Sequence, residues 1–426
     1  QALKCWSRAF DRVFRSGAAG SAAGVAAMED TTVADGGDGK AFADLIAPMD
    51  PDEFFATIWQ KRPWVFTGSS WSTDGGVQRP LPRQTWTDCL DLLGLAWGSY
   101  PQPPPPDGCD LLVFKGQQLT HEFDAMGPCE ALLAGASCVV NHGEFIWPPL
   151  SQLCLSLRER LVHVYANIYV TPPVSQAVPA HADDRDVFVL QLCGRKHWRV
   201  YGHPPVKFPY SDEQVGKQGR PIPSEVLSSE PFIECDLQPG DVLYMPRGFV
   251  HEACCPGATS SWHATFAVAT HDWSWSKMYS AALAAALDAE ADARWKAAVP
   301  LGLGLPGKAC SQNDETEGQA LLEELIQQAH RAVSLPALRA RFAARMVSHN
   351  GSQEESISIF GRMMSQYGVE VEQEPGQSRH LELWRARNVR PTSRVTKSFA
   401  DDLQDWLEEA TAKGQGPKGK GKGKGK

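Results

Sequence analysis

Apolar residues in the middle of the chain come in short runs that glycine and proline interrupt. This arrangement extends over residues 161–270, and no helical repeat intervenes. Residues 164–170 alternate, with Tyr165, Asn167 and Tyr169 on one face of a strand and apolar residues on the other. Such a polar row indicates either a lined pocket or tyrosines on a sheet surface. The whole region predicts a sandwich or small barrel of short strands.

A helical repeat occurs on both sides of this region. Residues 50–59 begin with an acidic turn that contains proline, and their aromatic residues follow at helical spacing. Downstream, residues 278–296, 321–332 and 338–347 each place apolar residues on one helix face. We therefore predict a mainly β core with α-helical and small α+β domains at the C-terminal side.

The two ends of the chain carry no such repeat. Residues 1–40 are expected to form a disordered or targeting leader. The basic residues among the first 27 overlap in composition with an organelle transit peptide, but we favour a plain leader ahead of Met28. Residues 411–426 end in a Lys-Gly repeat, which predicts a disordered, flexible polycation.

Composition narrows the classes of partner. The chain has 41 Lys and Arg against 50 Asp and Glu, a net charge of −9, so no general nucleic-acid-binding field is expected. Basic residues cluster at 379–397 and in the tail, where we expect at most a weak nucleic-acid contact. No apolar run approaches the roughly 18–20 residues of a membrane span, so no membrane contact is expected. The 11 cysteines lie mostly in apolar runs, which indicates a reducing compartment and disfavours a zinc–thiolate site.

Three residues form a candidate metal site. Residues two apart on a strand face the same side, so His181 and Asp183 can converge on one point while Asp184 faces away. Two histidines and one carboxylate are the ligand set of non-haem Fe(II) oxygenases, although a His-x-Asp pair alone is a weak signal. His251, which follows a Pro-Arg-Gly turn, is the candidate second histidine. Taken singly, it is also explained as a core histidine bonded to the backbone.

A buried cation is predicted beside these ligands. Residues 179–201 are interpreted as two strands joined by a turn at Gly194, and alternation after the turn puts Lys196 on the inward face with Trp198. A lysine on an apolar face is costly unless an anion meets it, and a dicarboxylate cosubstrate would be that anion. The alternative is a lysine whose stem packs while its head reaches solvent.

Four motifs together resemble the ribosomal oxygenases, a family of JmjC-type, cupin-fold protein hydroxylases that depend on iron and 2-oxoglutarate. The motifs are Asn-Ile-Tyr-Val-Thr-Pro-Pro from Asn167, His-x-Asp-Asp from His181, Val-Phe-Val-Leu-Gln-Leu-x-Gly-x-Lys-x-Trp-Arg-Val-Tyr from Val187, and Pro-Gly-Asp-Val-Leu-Tyr-Met-Pro-Arg-Gly-x-x-His ending at His251. Within the family, the chain is most similar to the eukaryotic histidyl hydroxylases of ribosomal proteins.

The resemblance implies an arrangement of domains. Residues 41–275 would form the catalytic domain, a double-stranded β-helix or cupin jelly roll. Residues 276–347 would form a helical dimerisation domain, and residues 348–410 match the family's winged-helix domain more loosely. A homodimer is therefore expected.

The resemblance also implies roles for individual residues. Fe(II) would be held by His181, Asp183 and His251, and the 2-oxoglutarate carboxylate by Lys196. The remaining cosubstrate and substrate contacts would come from Asn167, Tyr169 and Thr265. Ala267 departs from the family pattern, because a hydroxyl side chain is expected at that position.

The implied reaction is hydroxylation of a ribosomal protein, at a histidine, with molecular oxygen. A histone lysyl demethylase of the JmjC type is the first alternative, because it uses the same iron chemistry. The second is a non-catalytic cupin that binds chromatin or RNA. The nucleus or nucleolus is the expected location, with the cytoplasm, or an organelle if residues 1–27 are a transit peptide, as alternatives.

Overall fold

A computed structural model of the chain describes residues 39–68, 78–97, 105–124, 126–217, 219–289, 293–296 and 312–366. The α-helices are α1 (Lys40–Ile46), α2 (Pro51–Thr57), α3 (Trp86–Trp97), α4 (Pro128–Leu133), α5 (Pro148–Leu161), α6 (Ser224–Leu227), α7 (Trp275–Ala289), α8 (Gln312–Ala332) and α9 (Leu335–Gln366). The strands are β1 (Trp64–Phe66), β2 (Leu111–Lys115), β3 (Gln118–Thr120), β4 (Ser137–Val140), β5 (Tyr165–Thr171), β6 (Asp186–Gly194), β7 (Lys196–Tyr201), β8 (Pro231–Leu237), β9 (Val242–Met245), β10 (His251–Cys254) and β11 (Ser261–Val268). Short 3-10 turns occupy Gly143–Phe145, Thr270–Trp273 and Ala293–Lys296.

Within these residues the strands form two antiparallel sheets. The larger has eight strands in the order β1-β9-β6-β11-β5-β4-β2-β3, and the smaller has three in the order β10-β7-β8. Strand β6, at the middle of the larger sheet, is buried along nearly its whole length. The predicted mainly β core is confirmed.

Strands β6 and β7 lie in different sheets, although the sequence pattern suggested a hairpin turning at Gly194. The chain passes from the larger sheet to the smaller one at this glycine, whose φ is +64°. A Cβ at Gly194 would lie 1.9 Å from the carbonyl oxygen of Ser260, so only glycine fits the crossing. Alternation along the chain predicts which face a side chain occupies, but not which strand is its neighbour.

The helix predicted over residues 50–59 is observed as α2. Asp50 caps it, because one carboxylate oxygen accepts from the backbone N–H groups of Asp52 and Glu53 at 2.8 and 3.2 Å. Phe54 is fully buried and lies with its ring 5.7 Å from that of Phe188 on the larger sheet. Helix α2 therefore covers part of this sheet with aromatic side chains.

The described part of the chain separates into two compact units. One is Asp272–Asn350, and the residues on either side of it form the other. The three helices predicted after residue 276 are observed, and α9 continues to Gln366, beyond the expected boundary between residues 347 and 348. The domain boundaries therefore remain predictions. The leader, the basic cluster at 379–397 and the Lys-Gly tail lie outside the described residues.

An aspartate organises the unit Asp272–Asn350. Asp272 is 6% exposed, and its carboxylate lies 3.2 Å from Lys277 Nζ, 2.9 Å from Arg345 Nη2 and 3.3 Å from His349 Nε2. These contacts connect the start of α7 to α9. None of the helices that the structure describes is both long and apolar enough to span a membrane.

Candidate metal centre and adjoining cavity

His181 and His251 are directly opposite each other on adjacent segments of backbone. They form an isolated antiparallel bridge, in which His181 N donates to His251 O at 3.1 Å and His251 N donates to His181 O at 2.9 Å. Opposed residues of an antiparallel pair project their side chains to the same side. The two imidazole rings consequently lie 4.5 Å apart, centroid to centroid.

A second pair of hydrogen bonds orients the rings. Nδ1 of His181 lies 2.7 Å from the carbonyl oxygen of Pro179, and Nδ1 of His251 lies 3.1 Å from that of Phe249. A carbonyl oxygen only accepts, so each Nδ1 carries the proton and each Nε2 presents a lone pair. Metal-binding histidines in proteins are generally oriented by such a bond from the second nitrogen.

Asp183 lies between the two free nitrogens. Its Oδ1 is 3.7 Å from His181 Nε2, and its Oδ2 is 3.7 Å from His251 Nε2. Potential ligand atoms of the three residues all lie within 4.8 Å of one another, and no other three His, Cys, Asp or Glu side chains in the described residues form such a group. Neighbouring ligands on an octahedral ion with bonds of about 2.1 Å stand about 3 Å apart, so the cluster fits a divalent metal after a small contraction.

The protonation states suit metal binding. Burial lowers the pKa of both imidazoles, well below its usual value for His181, so both rings are neutral at pH 7. Burial alone would raise the pKa of Asp183, but the Lys217 ammonium, together with the imidazoles of His181 and His251 and the Arg185 guanidinium, outweighs burial and lowers it strongly. The cluster thus offers two neutral nitrogens and one carboxylate, the donor set of a facial triad.

Lys196 lies in the cavity beside this cluster. It is 3% exposed, so the alternative in which its head reaches solvent does not hold. Its Nζ donates to Thr171 Oγ1 at 3.0 Å, and burial lowers its pKa. Among the described residues no carboxylate lies within ion-pair distance of this ammonium, so its charge has no counterion in that part of the chain.

The cavity brings together most of the other predicted site residues. Tyr169 and Thr265 line it together with the three candidate ligands and Lys196. Asn167 is not among the residues found to line it in the described part of the chain. Instead, the Asn167 side-chain oxygen accepts from the backbone N–H of His142 at 3.1 Å, and its side chain is hydrogen-bonded to Tyr169, which does line the cavity.

Asp184 faces away from the cluster, as the alternation predicts. It is completely buried and accepts hydrogen bonds from Arg185 and Ser211. Burial would raise the pKa of Asp184, but the Arg185 guanidinium, together with His271 and the hydrogen bond from Ser211, lowers it to about 2. Arg185 also bonds to the hydroxyl of Tyr165. The ion pair between Asp184 and Arg185 therefore anchors the segment that carries Asp183.

Strand β7 divides as predicted between an inner and an outer face. Lys196, Trp198 and Val200 are buried, whereas His197 and Arg199 are only partly buried. His197 lies 2.8 Å from Asp236 and 3.3 Å from Glu234 on neighbouring β8, on the face opposite to the cavity.

Two residues at the site have no assigned role in the sequence analysis. Lys217 is 8% exposed, and its amine donates to Asp183 Oδ1. His263 lines the cavity, is stacked on Tyr169 at 4.9 Å, and has an Nδ1 without a hydrogen-bond partner among the described residues. The His-x-Thr pattern around Thr265 was the available signal for His263. Lys217 is in an irregular segment, where no periodic pattern indicates a face.

Comparison with protein families matches residues 142–278 to the JmjC domain. The matched segment contains the three candidate ligands, Lys196 and Thr265.

Curated relatives share this region. Ribosomal oxygenase 1 of Rattus norvegicus is 28% identical over 253 residues, 59% of this chain and 40% of the rat protein. The Homo sapiens protein of the same name is 30% identical over 233 residues, 53% of this chain and 34% of the human protein. A Drosophila willistoni relative named bifunctional lysine-specific demethylase and histidyl-hydroxylase NO66 is 34% identical over 239 residues, 53% of this chain and 28% of the fly protein. The chain thus spans less than half the length of these relatives.

Solved structures give a lower similarity. The X-ray structure of ycfD from E. coli aligns with a TM-score of 0.46 and 20% identity, over 70% of this chain and 71% of that chain. The same ribosomal oxygenase in complex with cobalt and 2-oxoglutarate aligns with a TM-score of 0.43 and 19% identity, over 70% and 71% of the two chains.

Proposed function

Because this chain carries a JmjC domain of the ribosomal oxygenase family, we propose that it is an Fe(II)- and 2-oxoglutarate-dependent oxygenase that hydroxylates a side chain of a ribosomal protein. One observation carries the proposal. The three-ligand cluster and a buried lysine without a counterion share one cavity. A metal ion and a dicarboxylate together supply the charges that this cavity lacks.

The residues would act as follows. His181, Asp183 and His251 would hold the metal ion on one face, which leaves coordination positions for a cosubstrate and oxygen. Fe(II) with 2-oxoglutarate supplies the oxidation of an unactivated C–H bond by molecular oxygen. Lys196 and Thr171 would bind the distal carboxylate of the cosubstrate, because a buried ammonium pairs strongly with an anion.

The cavity walls would protect the reaction from water. Apolar side chains line the cavity beside the candidate ligands: Val187, Val189 and Met245 from the larger sheet and Trp198 from the smaller one. Apolar walls that exclude water strengthen the electrostatic attraction between Lys196 and a carboxylate. Tyr169 and His263 present polar groups to the same space and would contact the cosubstrate or substrate.

Histidine is the proposed target residue, and the name of the fly relative, which includes histidyl-hydroxylase, supports this choice. Lysyl demethylation is the second candidate, because the fly relative's name includes that activity. The two reactions leave different products. Hydroxylation adds one oxygen atom to the protein, whereas demethylation removes a methyl group as formaldehyde.

The deciding experiment incubates the full chain with Fe(II), ascorbate and 2-oxoglutarate, and with either a ribosomal-protein extract or a methylated histone H3 peptide. Succinate release that depends on the ribosomal proteins, with a one-oxygen mass gain on a histidine, is expected. Formaldehyde from the histone peptide would select the demethylase instead. Absence of iron binding and of 2-oxoglutarate consumption would leave only a non-catalytic cupin. His181→Ala is the inactive control.

We also propose that the chain acts as a homodimer in the nucleus or nucleolus. The relatives named ribosomal oxygenase support a ribosomal-protein partner. Fluorescence microscopy of the tagged full-length protein tests this location, and diffuse cytoplasmic signal would contradict it.

A further inference from the structure

Lys217, which lies outside the helices and strands, contacts one of the candidate metal ligands. The amine of Lys217 donates to Oδ1 of Asp183, although the two residues are 34 positions apart in sequence. Lys217 is 8% exposed, so the whole side chain is packed rather than extended into solvent. The ion pair is therefore built into the fold and is not a surface contact.

The backbone of the segment holds this lysine in place. Ala182 N donates to Val215 O at 3.0 Å, which connects this segment to the backbone between His181 and Asp183. A tight turn follows, with Gly216 N bonded to Arg220 O at 2.7 Å and Arg220 N bonded to Lys217 O at 3.0 Å. Lys217 consequently lies two residues after a backbone contact with the segment that contains His181 and Asp183.

Gly216 allows this close approach. Its φ is +76°, and a Cβ there would lie 2.4 Å from the carbonyl oxygen of Ala180 and 2.7 Å from the Cα of His181. Any other residue type at this position would displace the backbone of Ala180 and His181. The same turn that brings Lys217 to Asp183 thus packs directly on His181.

The ammonium occupies one of the two oxygens through which Asp183 could hold a metal ion. Asp183 Oδ1 is both the acceptor for Lys217 and the carboxylate oxygen facing His181 Nε2, at 3.7 Å. A divalent ion and an ammonium on one carboxylate repel each other at short range, and burial weakens the screening by water. Lys217 and the metal ion therefore compete for Asp183.

We propose that Lys217 is a placeholder cation: it neutralises Asp183 in the metal-free protein, and a divalent metal ion binds by displacing it. This inference rests on the metal site of the proposed function. The placeholder stabilises the empty site, because an unpaired buried carboxylate would be costly. It also lowers the affinity for the metal ion, since binding must break an existing ion pair.

Metal titration tests the inference without any activity measurement. Full-length protein, freed of metal by chelation, is titrated with Mn(II) in a calorimeter and melted with and without Mn(II). Lys217→Gln and Lys217→Met remove the charge, and Gln can still donate a hydrogen bond to Asp183. Lys217→Arg keeps the charge. Lys207→Met removes an exposed lysine charge from the same segment and is the matched control.

The expected result is an Mn(II) affinity at least tenfold higher in both neutral variants than in the wild type. Their metal-free melting temperatures should fall, and the rise on adding Mn(II) should be larger than in the wild type. Lys217→Arg and Lys207→Met should match the wild type. Equal or weaker Mn(II) binding by folded Lys217→Gln would overturn the placeholder role. Failure of both the wild type and the neutral variants to bind Mn(II) would instead overturn the proposed metal site.

Discussion

His181 and His251 bond to each other through both backbone N–H groups, at 3.1 and 2.9 Å, in a bridge that belongs to neither sheet ladder. This bridge makes the spacing of the two imidazoles a property of the backbone rather than of side-chain packing alone. Each ring is also held by a carbonyl two residues before it, at Pro179 and Phe249. The proposed metal site is therefore preorganised before any ion arrives.

Removal of one imidazole should abolish metal binding but leave the fold intact. We expect His251→Ala to weaken Mn(II) or Co(II) binding by roughly 100-fold or more, because one of three ligands is lost. Calorimetric titration of the chelator-treated protein measures this. His197→Ala is the matched control, since His197 lies on the outer face of β7 beside Glu234 and Asp236. Equal loss in both variants would contradict the assignment.

Two glycines of the turn that contains Lys217 should respond differently to replacement by alanine. Gly216 and Gly219 both have positive φ, at +76° and +81°, but a Cβ meets backbone atoms only at Gly216. Gly219→Ala should cost about 1 kcal/mol of unfolding free energy, from backbone strain alone. Gly216→Ala should cost roughly 2–4 kcal/mol because overlap is added to strain.

Metal titration separates the two glycine variants further. Gly216→Ala should also weaken Mn(II) binding, since the added methyl group displaces His181, whereas Gly219→Ala should bind as the wild type does. Thermal or urea denaturation gives the stability difference. Equal destabilisation by both substitutions would mean that the contact with His181 is not close enough to matter.

The sequence predicted the parts of the site that lie on regular strands. Alternation in β7 put Lys196 inside and His197 outside, and both positions follow from the two-residue period of a strand. His181 and Asp183 do approach each other as predicted, although they precede β6 and lie in no strand, so the strand period is not the reason. The mainly β architecture followed from the density of short apolar runs.

Contacts between distant segments were not predictable in this way. Strand alternation carries no information about pairing partners, so β6 and β7 were interpreted as a hairpin although they lie in different sheets. Asn167 shares a strand face with Tyr169 and is hydrogen-bonded to it, yet its side-chain oxygen accepts from His142 N and it does not itself line the cavity. Lys217 reaches Asp183 through a turn, where only the long-range fold determines direction.

Helix α8 should supply part of a subunit interface. Leu322 and Ile326 are one turn apart on it and are 52% and 44% exposed, which is unusual for neighbouring large apolar side chains. We expect the wild type to be a dimer and the double variant Leu322→Glu, Ile326→Glu to be a monomer. Burial of two added carboxylates in an apolar contact would cost too much free energy. Size-exclusion chromatography with light scattering measures the mass.

The control for this prediction is Gln327→Glu, which adds a charge at a neighbouring exposed position. It should remain dimeric. Circular dichroism of all three proteins should agree, since these side chains are on the helix surface. A monomeric wild type, or a double variant that stays dimeric, would exclude α8 from the interface.

Lys196 should lower the stability of the ligand-free protein. It is buried without a carboxylate partner, so Lys196→Met should raise the unfolding free energy by roughly 1–3 kcal/mol. The same substitution should abolish the rise in melting temperature that 2-oxoglutarate gives in the presence of Mn(II), because the carboxylate of the cosubstrate then has no ammonium to pair with. Melting curves with and without these ligands measure both effects, and Lys207→Met should change neither.

The pH dependence follows from the direction of the shift. Burial lowers the pKa of Lys196 in the folded protein below its ordinary value of 10.5, so between the two values the unfolded chain binds more protons. Stability from this group therefore rises with pH in that window and is lowest where the lysine is charged in both states. The difference in melting temperature between Lys196→Met and the wild type should thus shrink as pH approaches 10.5. A difference that is constant with pH, or that grows, would mean that Lys196 carries no desolvated charge in the ligand-free protein.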